Sequence, residues 1–133
     1  GRPHAGTFVY AVYVDDTHIR LGFDVWSVAA GQTDPIEVDY FADHELIVDS
    51  GALYPDGHPA LRGLPPAELA RLRHHLRIAL DGRTVLERDV DPFASAVRDV
   101  TVGRNAIGGS TCEPGFAGRI LAVDRLPVPA PAH

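Results

Sequence analysis

Alternation of apolar and polar positions is the dominant pattern along this chain. Ile19, Leu21, Phe23 and Val25 alternate with polar or small residues. A period of two is typical of a strand that has one face on a core. Residues 76–80 repeat the pattern, and shorter versions occur at residues 36–40, 46–48 and 100–102. We therefore predict a strand at each of these positions.

The remaining apolar run and the turn signals extend this prediction to a whole domain. Residues 8–14 are apolar on both faces, so we expect a strand that is covered on both sides or lies near a concave, ligand-facing surface. Residues 15–16 (Asp-Asp) provide a link between strands, and residues 81–82 (Asp-Gly) provide a tight hairpin turn. About eight strands with turn signals often 8–12 residues apart predict an antiparallel β-sandwich.

The segments outside the strands are few. Residues 64–72 predict one short helical turn or two, because prolines stand at the start, where a missing N–H costs nothing. Residues 127–133 alternate proline with other residues and cannot form a ladder, so we expect a Pro-rich C-terminal tail. We expect residues 1–6 to form an N-terminal tail. They lack Met and a signal-peptide core, which predicts a piece of a longer protein.

The charge balance argues against two classes of partner. The chain has 12 Lys+Arg, all of them arginine, against 18 Asp+Glu, with a net charge of -6. An acidic chain without basic runs suits the phosphate backbone poorly, so we expect no nucleic-acid partner. No stretch approaches the roughly 20 apolar residues that span a bilayer, so we expect no direct membrane insertion.

The hairpin at residues 76–85 (LRIALDGRTV) resembles the strand, Asp-Gly, strand unit of laminin G-like and concanavalin A-like domains. In those domains a hydrophobic-Gly-x-Asn segment and a Phe-x-Gly-x-Ile segment follow. Residues 102–105 (VGRN) and 116–120 (FAGRI) match them in order and spacing. The resemblance covers residues 8–126. It implies an all-β fold, an antiparallel jelly-roll β-sandwich with one short helical turn, over residues 7–126.

A second resemblance concerns residues 44–55 (HELIVDSGALYP), which are similar to a bacterial domain beside membrane-bound glycosyltransferases of the actinobacterial envelope. It implies a glycosyltransferase-associated, non-catalytic carbohydrate-binding or interaction module of a larger protein. Its location would be extracytoplasmic, in the bacterial cell envelope. Its partners would be a polysaccharide or oligosaccharide ligand and other domains of the parent protein.

Aromatic and polar residues supply candidates for saccharide binding, because sugar rings pack on aromatic faces while polar side chains hydrogen-bond the hydroxyls. Trp26 occupies the polar register of its strand beside Asp24, and Tyr54 lies in a Gly/Pro-rich loop. Arg104 and Asn105 follow a predicted strand and are the best polar partners. Two interpretations of Trp26 stay open: an outward stacking platform, or a core contact with the second sheet.

Two rival functions belong to other classes. Glu37 and Asp39 share one face of a predicted strand and resemble the first half of the E-x-D-x-x-E signature of laminarinase-like glucanases, although Ala42 replaces the third carboxylate. They would serve a small glycoside hydrolase, whose retaining form needs carboxyl groups about 5–5.5 Å apart. The other rival is a structural packing domain without glycan binding. A flat apolar patch over residues 8–14 would favour it.

Calcium is the one cofactor for which the sequence offers ligands. Hard cations need several oxygen ligands, and Asp39 and Asp43 lie in or near turns. The alternative is that these aspartates only form turns. His74 and His75 are adjacent at the entry to a predicted strand, so their rings point to opposite faces and cannot hold one metal together.

Overall fold

Strands make up most of the regular structure in residues 1–127, the part of the chain that this computed structural model describes. The strands are β1 (Thr7–Tyr13), β2 (His18–Val25), β3 (Ala29–Gln32), β4 (Ile36–Glu37), β5 (Leu46–Ser50), β6 (Leu76–Leu80) and β7 (Arg83–Arg88). One α-helix, α1 (Pro66–Arg73), and three 3-10 turns (Gly51–Leu53, Pro59–Leu61 and Val97–Asp99) complete the regular elements of this part.

The strands form two antiparallel sheets. In the first sheet β2 is central and pairs with β1, β3 and β4. In the second sheet β6 lies between β5 and β7. Buried apolar residues of both sheets, with two from the segments that follow β4 and β7, form one core: Ile19, Leu21, Phe23, Val25, Val38, Leu76, Ile78, Leu86 and Val90. The fold is thus mainly β with the character of a sandwich, as the spacing of strands and turns predicts.

The alternation in the sequence identifies the buried face of β2 correctly. Ile19, Leu21, Phe23 and Val25 are all buried, because a period of two places every second side chain on the same side of a strand. The Asp81-Gly82 hairpin between β6 and β7 is also confirmed. Both turn residues have positive φ, 50° and 81°, which a tight two-residue hairpin requires.

The structure departs from the prediction after β7. Val100 and Val102 are exposed and belong to no strand, and residues 116–120 form none either. Gly103, with a φ of 83°, turns the chain immediately after Val102, so an extended ladder cannot continue there. A single bridge between Arg104 and Gly115 remains in this segment. The strands of the described part therefore end at Arg88, well before residue 126.

In the part of the chain before β6, the predicted and observed elements differ less. The sequence does not predict β3, because its residues Ala29–Gln32 are small or polar; pairing with β2 holds it in place. The strand expected at residues 36–40 is reduced to β4. The helix is confirmed as α1, with prolines at its start and Leu72 buried.

The sequence predicts a tail at each end of the chain. Residues 1–6, expected as a tail, contain a bridge between Arg2 and Ala5 and end at the buried Gly6. The expected Pro-rich tail lies outside the described residues except for Pro127. Within residues 1–127 no helix has both the length and the apolar character needed to cross a bilayer.

Replacement of Leu76 by alanine should unfold the domain more easily, because Leu76 is fully buried in the shared core. We expect a loss of about 2–5 kcal/mol in the free energy of unfolding, the usual cost of Leu→Ala in a core. Urea denaturation followed by circular dichroism measures it. The matched control is Leu46→Ala in the same sheet, where the side chain is 47% exposed and the change should stay near ~0.5 kcal/mol. Equal losses in the two variants would contradict the placement of the core.

Candidate functional site

A cleft of about 260 Å³ opens at the end of the first sheet, between the N-terminal part of β1, the C-terminal end of β2 and the loop at residues 108–111. We call it the Trp26 cleft. Its lining consists of Phe8, Asp24, Trp26, Ser27, Gly109, Ser110 and Thr111. The cleft therefore combines two aromatic rings, one carboxylate and three hydroxyl groups.

The backbone at the end of β2 positions Trp26. Its N–H donates a hydrogen bond of 3.0 Å to the Gly6 carbonyl oxygen. The next residue, Ser27, has a φ of 60°, and the chain reverses there into β3. Trp26 thus stands just beyond the strand and is half-buried at the end of the sheet.

Three groups surround the indole. The His4 and Phe8 rings lie with their centroids 4.9 Å and 6.2 Å from it. A Cβ added at Gly109 would lie 3.5 Å from the indole ring, and Gly109 has a φ of 84°. These neighbours belong to the N-terminal turn, β1 and the loop at residues 108–111, and Trp26 is not among the residues of the core that the two sheets share. The indole therefore borders an open cleft at the end of the first sheet.

Asp24 joins the loop to the sheet. Its Oδ2 accepts a hydrogen bond of 2.6 Å from the Thr111 hydroxyl, across 87 positions of sequence. A carboxylate offers about four lone-pair directions, so one such bond leaves capacity for a ligand hydroxyl. Asp24 is therefore both a structural anchor and an acceptor that faces the cleft.

Asn105 builds the loop and does not line the cleft. Its Nδ2 donates to the Gly108 carbonyl oxygen at 3.0 Å, and its Oδ1 accepts from the Ile107 and Gly108 N–H groups. This amide shapes the segment that leads to Gly109 and Thr111. Arg104 is exposed, and its backbone pairs with Gly115. Of these two predicted ligand contacts, Asn105 acts as a positioning residue and Arg104 lies outside the lining.

Tyr54 is separated from the cleft. It is 8% exposed, directly after the 3-10 turn Gly51–Leu53, and its ring meets His58 edge-on at 5.7 Å. Burial raises the pKa of the Tyr54 hydroxyl above its usual value. Of the candidate saccharide-binding residues Trp26, Asp24 and Tyr54, only Trp26 and Asp24 line this cleft.

A second cleft of about 510 Å³, the Glu37 cleft, lies at β4 and the β1–β2 loop. Its lining is Asp16, Thr17, Glu37, Val38, Asp39, Tyr40 and Phe41. The structure thus brings Glu37 and Asp39 to one surface. However, the Asp39 carboxylate accepts the Phe41 N–H at 2.9 Å, and its backbone oxygen accepts from His44 at 2.7 Å. Asp39 consequently forms a turn.

The aspartates proposed for calcium do not gather a ligand set. Asp43 is exposed and is not part of the Glu37 cleft lining. Across residues 1–127 no group of three or more His, Cys, Asp or Glu side chains is placed to hold a metal ion. Further oxygens would have to come from backbone carbonyls or water for Asp39 or Asp43 to hold calcium.

An ion pair that the sequence does not reveal joins α1 to the second sheet. His75 Nε2 lies 3.1 Å from Asp49 Oδ2, and its Nδ1 lies 3.0 Å from the Leu72 carbonyl oxygen. Both ring nitrogens therefore face acceptors, which favours the imidazolium. The hydrogen bond with Asp49 raises the pKa of His75, and the same bond lowers the pKa of Asp49. The partners are 26 positions apart, so no local pattern indicates the pair.

The neighbouring histidine has a different partner, although the two residues are not in a strand as predicted: His74 directly follows α1, and β6 begins at Leu76. His74 pairs with Asp91 through Nδ1, and both side chains are more than half exposed. The adjacent rings therefore do not share a site.

Replacement of Asp49 by asparagine should lower stability in a pH-dependent way. A raised His75 pKa gives stability that is present below about pH 6.5 and lost as the pH rises through the folded value. A lowered Asp49 pKa gives stability that is present above about pH 4 and lost on acidification. At about pH 5.5 we expect Asp49→Asn to cost on the order of 1–2 kcal/mol, and near ~pH 9 clearly less. Thermal melts at both pH values measure the difference.

The control for this variant is Asp91→Asn, which removes the exposed partner of His74. Its loss at the lower pH should be smaller than that of Asp49→Asn, because solvent screens an exposed pair. If Asp49→Asn lowers stability by the same amount at both pH values, the effect does not come from the charges of the His75–Asp49 pair.

Comparisons with protein-family models, with curated proteins and with solved structures find no match for this chain.

Proposed function

We propose that this chain is a non-catalytic carbohydrate-binding or interaction module that holds a saccharide in the Trp26 cleft. One observation carries the proposal: an indole, a carboxylate and three hydroxyl groups line a single cleft at the end of a sheet. This combination offers an apolar face for the C–H side of a sugar ring and hydrogen-bonding groups for its hydroxyls.

Each lining group has a distinct task. Trp26 supplies the apolar surface, and Asp24 accepts hydrogen bonds from ligand hydroxyls with its remaining lone pairs. Ser27 and Ser110 can donate or accept. The cleft volume of about 260 Å³ is below the roughly 300–1,000 Å³ of pockets that enclose a drug-sized ligand. The ligand is then a longer saccharide of which one part enters the cleft.

The wider proposal concerns fold family and setting. Two antiparallel sheets around one core and the Asp-Gly hairpin support a jelly roll of laminin G or concanavalin A type. From the resemblance of residues 44–55 we infer a domain of a larger, glycosyltransferase-associated protein, extracytoplasmic in the bacterial cell envelope. There it would bind or orient a polysaccharide. A calcium ion at Asp39 and Asp43 would need further oxygen ligands from backbone carbonyls or water.

A structural packing domain is the second candidate, and one observation favours it. Large apolar side chains are exposed at the end of β1 and along the C-terminal segment: Val12, Tyr13, Val14, Phe116, Ile120, Leu121, Val123 and Leu126. Exposed apolar side chains of this kind would be covered by a contact with another protein or domain. The third candidate, a glycoside hydrolase using Glu37 and Asp39, is supported by their common cleft.

Replacement of Trp26 by alanine should weaken saccharide binding by about tenfold or more, which corresponds to about 1.4 kcal/mol. The probes are arabinan, galactan and mannan fragments on a glycan array, with confirmation by calorimetry in calcium and in chelator. The matched control is Phe41→Ala, which removes an exposed aromatic ring of the Glu37 cleft and should leave binding unchanged. Loss of binding in chelator would assign a role to calcium.

Two results would redirect the assignment. Absence of binding to every probe by a folded sample would contradict the saccharide proposal and favour the packing domain. Release of new reducing ends by the wild-type chain, abolished in Glu37→Gln, would favour the hydrolase.

A further inference from the structure

The strand β1 has one edge that pairs with no other strand of residues 1–127. β1 pairs with β2 along its whole length and with no further strand. At the two ends of this pairing, the Gly6 carbonyl oxygen accepts the Trp26 N–H, and the Val14 N–H donates to the His18 carbonyl oxygen. Hydrogen-bonded positions alternate along an antiparallel pair, so the even-numbered residues direct their backbone groups to β2. The backbone groups that point away from β2 belong to Thr7, Val9, Ala11 and Tyr13.

This edge lacks the features that keep strand edges from pairing. Natural proteins protect exposed edges with charged side chains, proline, bulges or short strands. The seven residues of β1 (TFVYAVY) include no charged residue and no proline, and their register with β2 is continuous. The other side of the first sheet is formed by the short strands β3 and β4. In the second sheet β5 carries Asp49, and β7 carries three charged residues beside a register irregularity.

The side chains of β1 also leave apolar surface uncovered. Val9 and Ala11 lie on the core face, opposite Phe23 and Leu21 of β2, and yet they are only partly buried. Val12 and Tyr13 are 37% and 48% exposed. A strand added along this edge would extend the backbone ladder and cover apolar surface at the same time.

The pattern of free groups on β1 fits a second β1 strand. In an antiparallel pair centred on Tyr10, Thr7 lies opposite Tyr13 of the second copy, and Val9 lies opposite its Ala11. The free residues of one edge then meet the free residues of the other, which is the self-complementarity that a two-fold dimer requires. Each chain has a net charge of -6, so two copies repel each other least where neither carries a charge. β1 has no charged residue.

We propose that two copies of this chain associate through their β1 edges, in an antiparallel pairing centred on Tyr10 that joins their four-stranded sheets into one. The proposal is independent of the saccharide function. It depends on the free backbone groups of β1 and on the uncharged, apolar side chains beside them.

The oligomeric state of the wild-type chain provides the first test. Sedimentation equilibrium over a concentration series should give a mass that rises from 14.3 kDa towards twice that value. Ala11→Pro should keep the fold, because proline removes an N–H that points away from β2. It should weaken the association by about tenfold or more, since a hydrogen bond is lost in each copy.

The second test addresses the register. Residue 10 of one copy lies directly opposite residue 10 of the other, so Tyr10→Lys and Tyr10→Glu each bring two like charges together at the centre of the pairing. Each variant alone should stay a monomer at concentrations at which the wild type associates. An equimolar mixture of the two should associate again, because opposite charges then face each other.

The matched control is Val28→Lys, which makes the same change in net charge at a residue that is 54% exposed and lies outside β1. It should associate like the wild type. Circular dichroism checks that each variant is folded, and Ala11→Pro and the Tyr10 variants test the same edge through different groups.

Three results would contradict the proposal. A wild-type chain that stays at 14.3 kDa at every concentration would overturn it and leave the β1 edge to a different partner. Association that persists in both Ala11→Pro and Tyr10→Lys would place the contact outside β1. Failure of the mixture to associate, when each Tyr10 variant alone is a folded monomer, would exclude a pairing centred on Tyr10.

Discussion

The burial of one face of β2 in the core that the two sheets share is the constraint on which the rest of the structure depends. β2 pairs with three strands and contributes Leu21, Phe23 and Val25 to this core. The second sheet meets it with Leu76 and Ile78. Apolar burial of this kind is the main favourable term in folding, and β2 ends at Val25, its last core residue. The end of β2 in turn determines the position of Trp26.

The position of the candidate site follows from where the core ends. Val25 is fully buried, and the chain reverses at Ser27, which has a φ of 60°. Trp26, between them, therefore stands at the boundary between core and solvent. Asp24, one position before Val25, points to the opposite face and meets Thr111. The loop that carries Thr111 is shaped by Asn105. The candidate site at the end of the first sheet therefore has one half on β2 and the other half on a loop.

Two aspartates of this acidic chain close local turns. Asp15 accepts from the Thr17 N–H and Asp39 from the Phe41 N–H, as the turn chemistry of aspartate predicts. Other aspartates join distant parts of the chain: Asp81 accepts from the Glu45 N–H, Asp24 accepts from the Thr111 hydroxyl, and Asp49 pairs with His75. The acidic side chains therefore serve both local turns and long-range contacts.

The sequence by itself determined the elements whose signal is local. The alternation in β2 and β6, the Asp-Gly hairpin and the prolines that begin α1 are properties of a few consecutive residues, and the structure confirms them. The sequence did not determine that the strands of the described part end at Arg88. The apolar residues at 100 and 102 predict a further strand, but Gly103 turns the chain directly after them. Only the tertiary structure decided that Trp26 meets His4 and the loop of Thr111, and that Tyr54 lies elsewhere. The physical reason is that a period of two is set by backbone geometry within one strand, whereas contacts across 87 positions depend on how sheets and loops come together around a shared core.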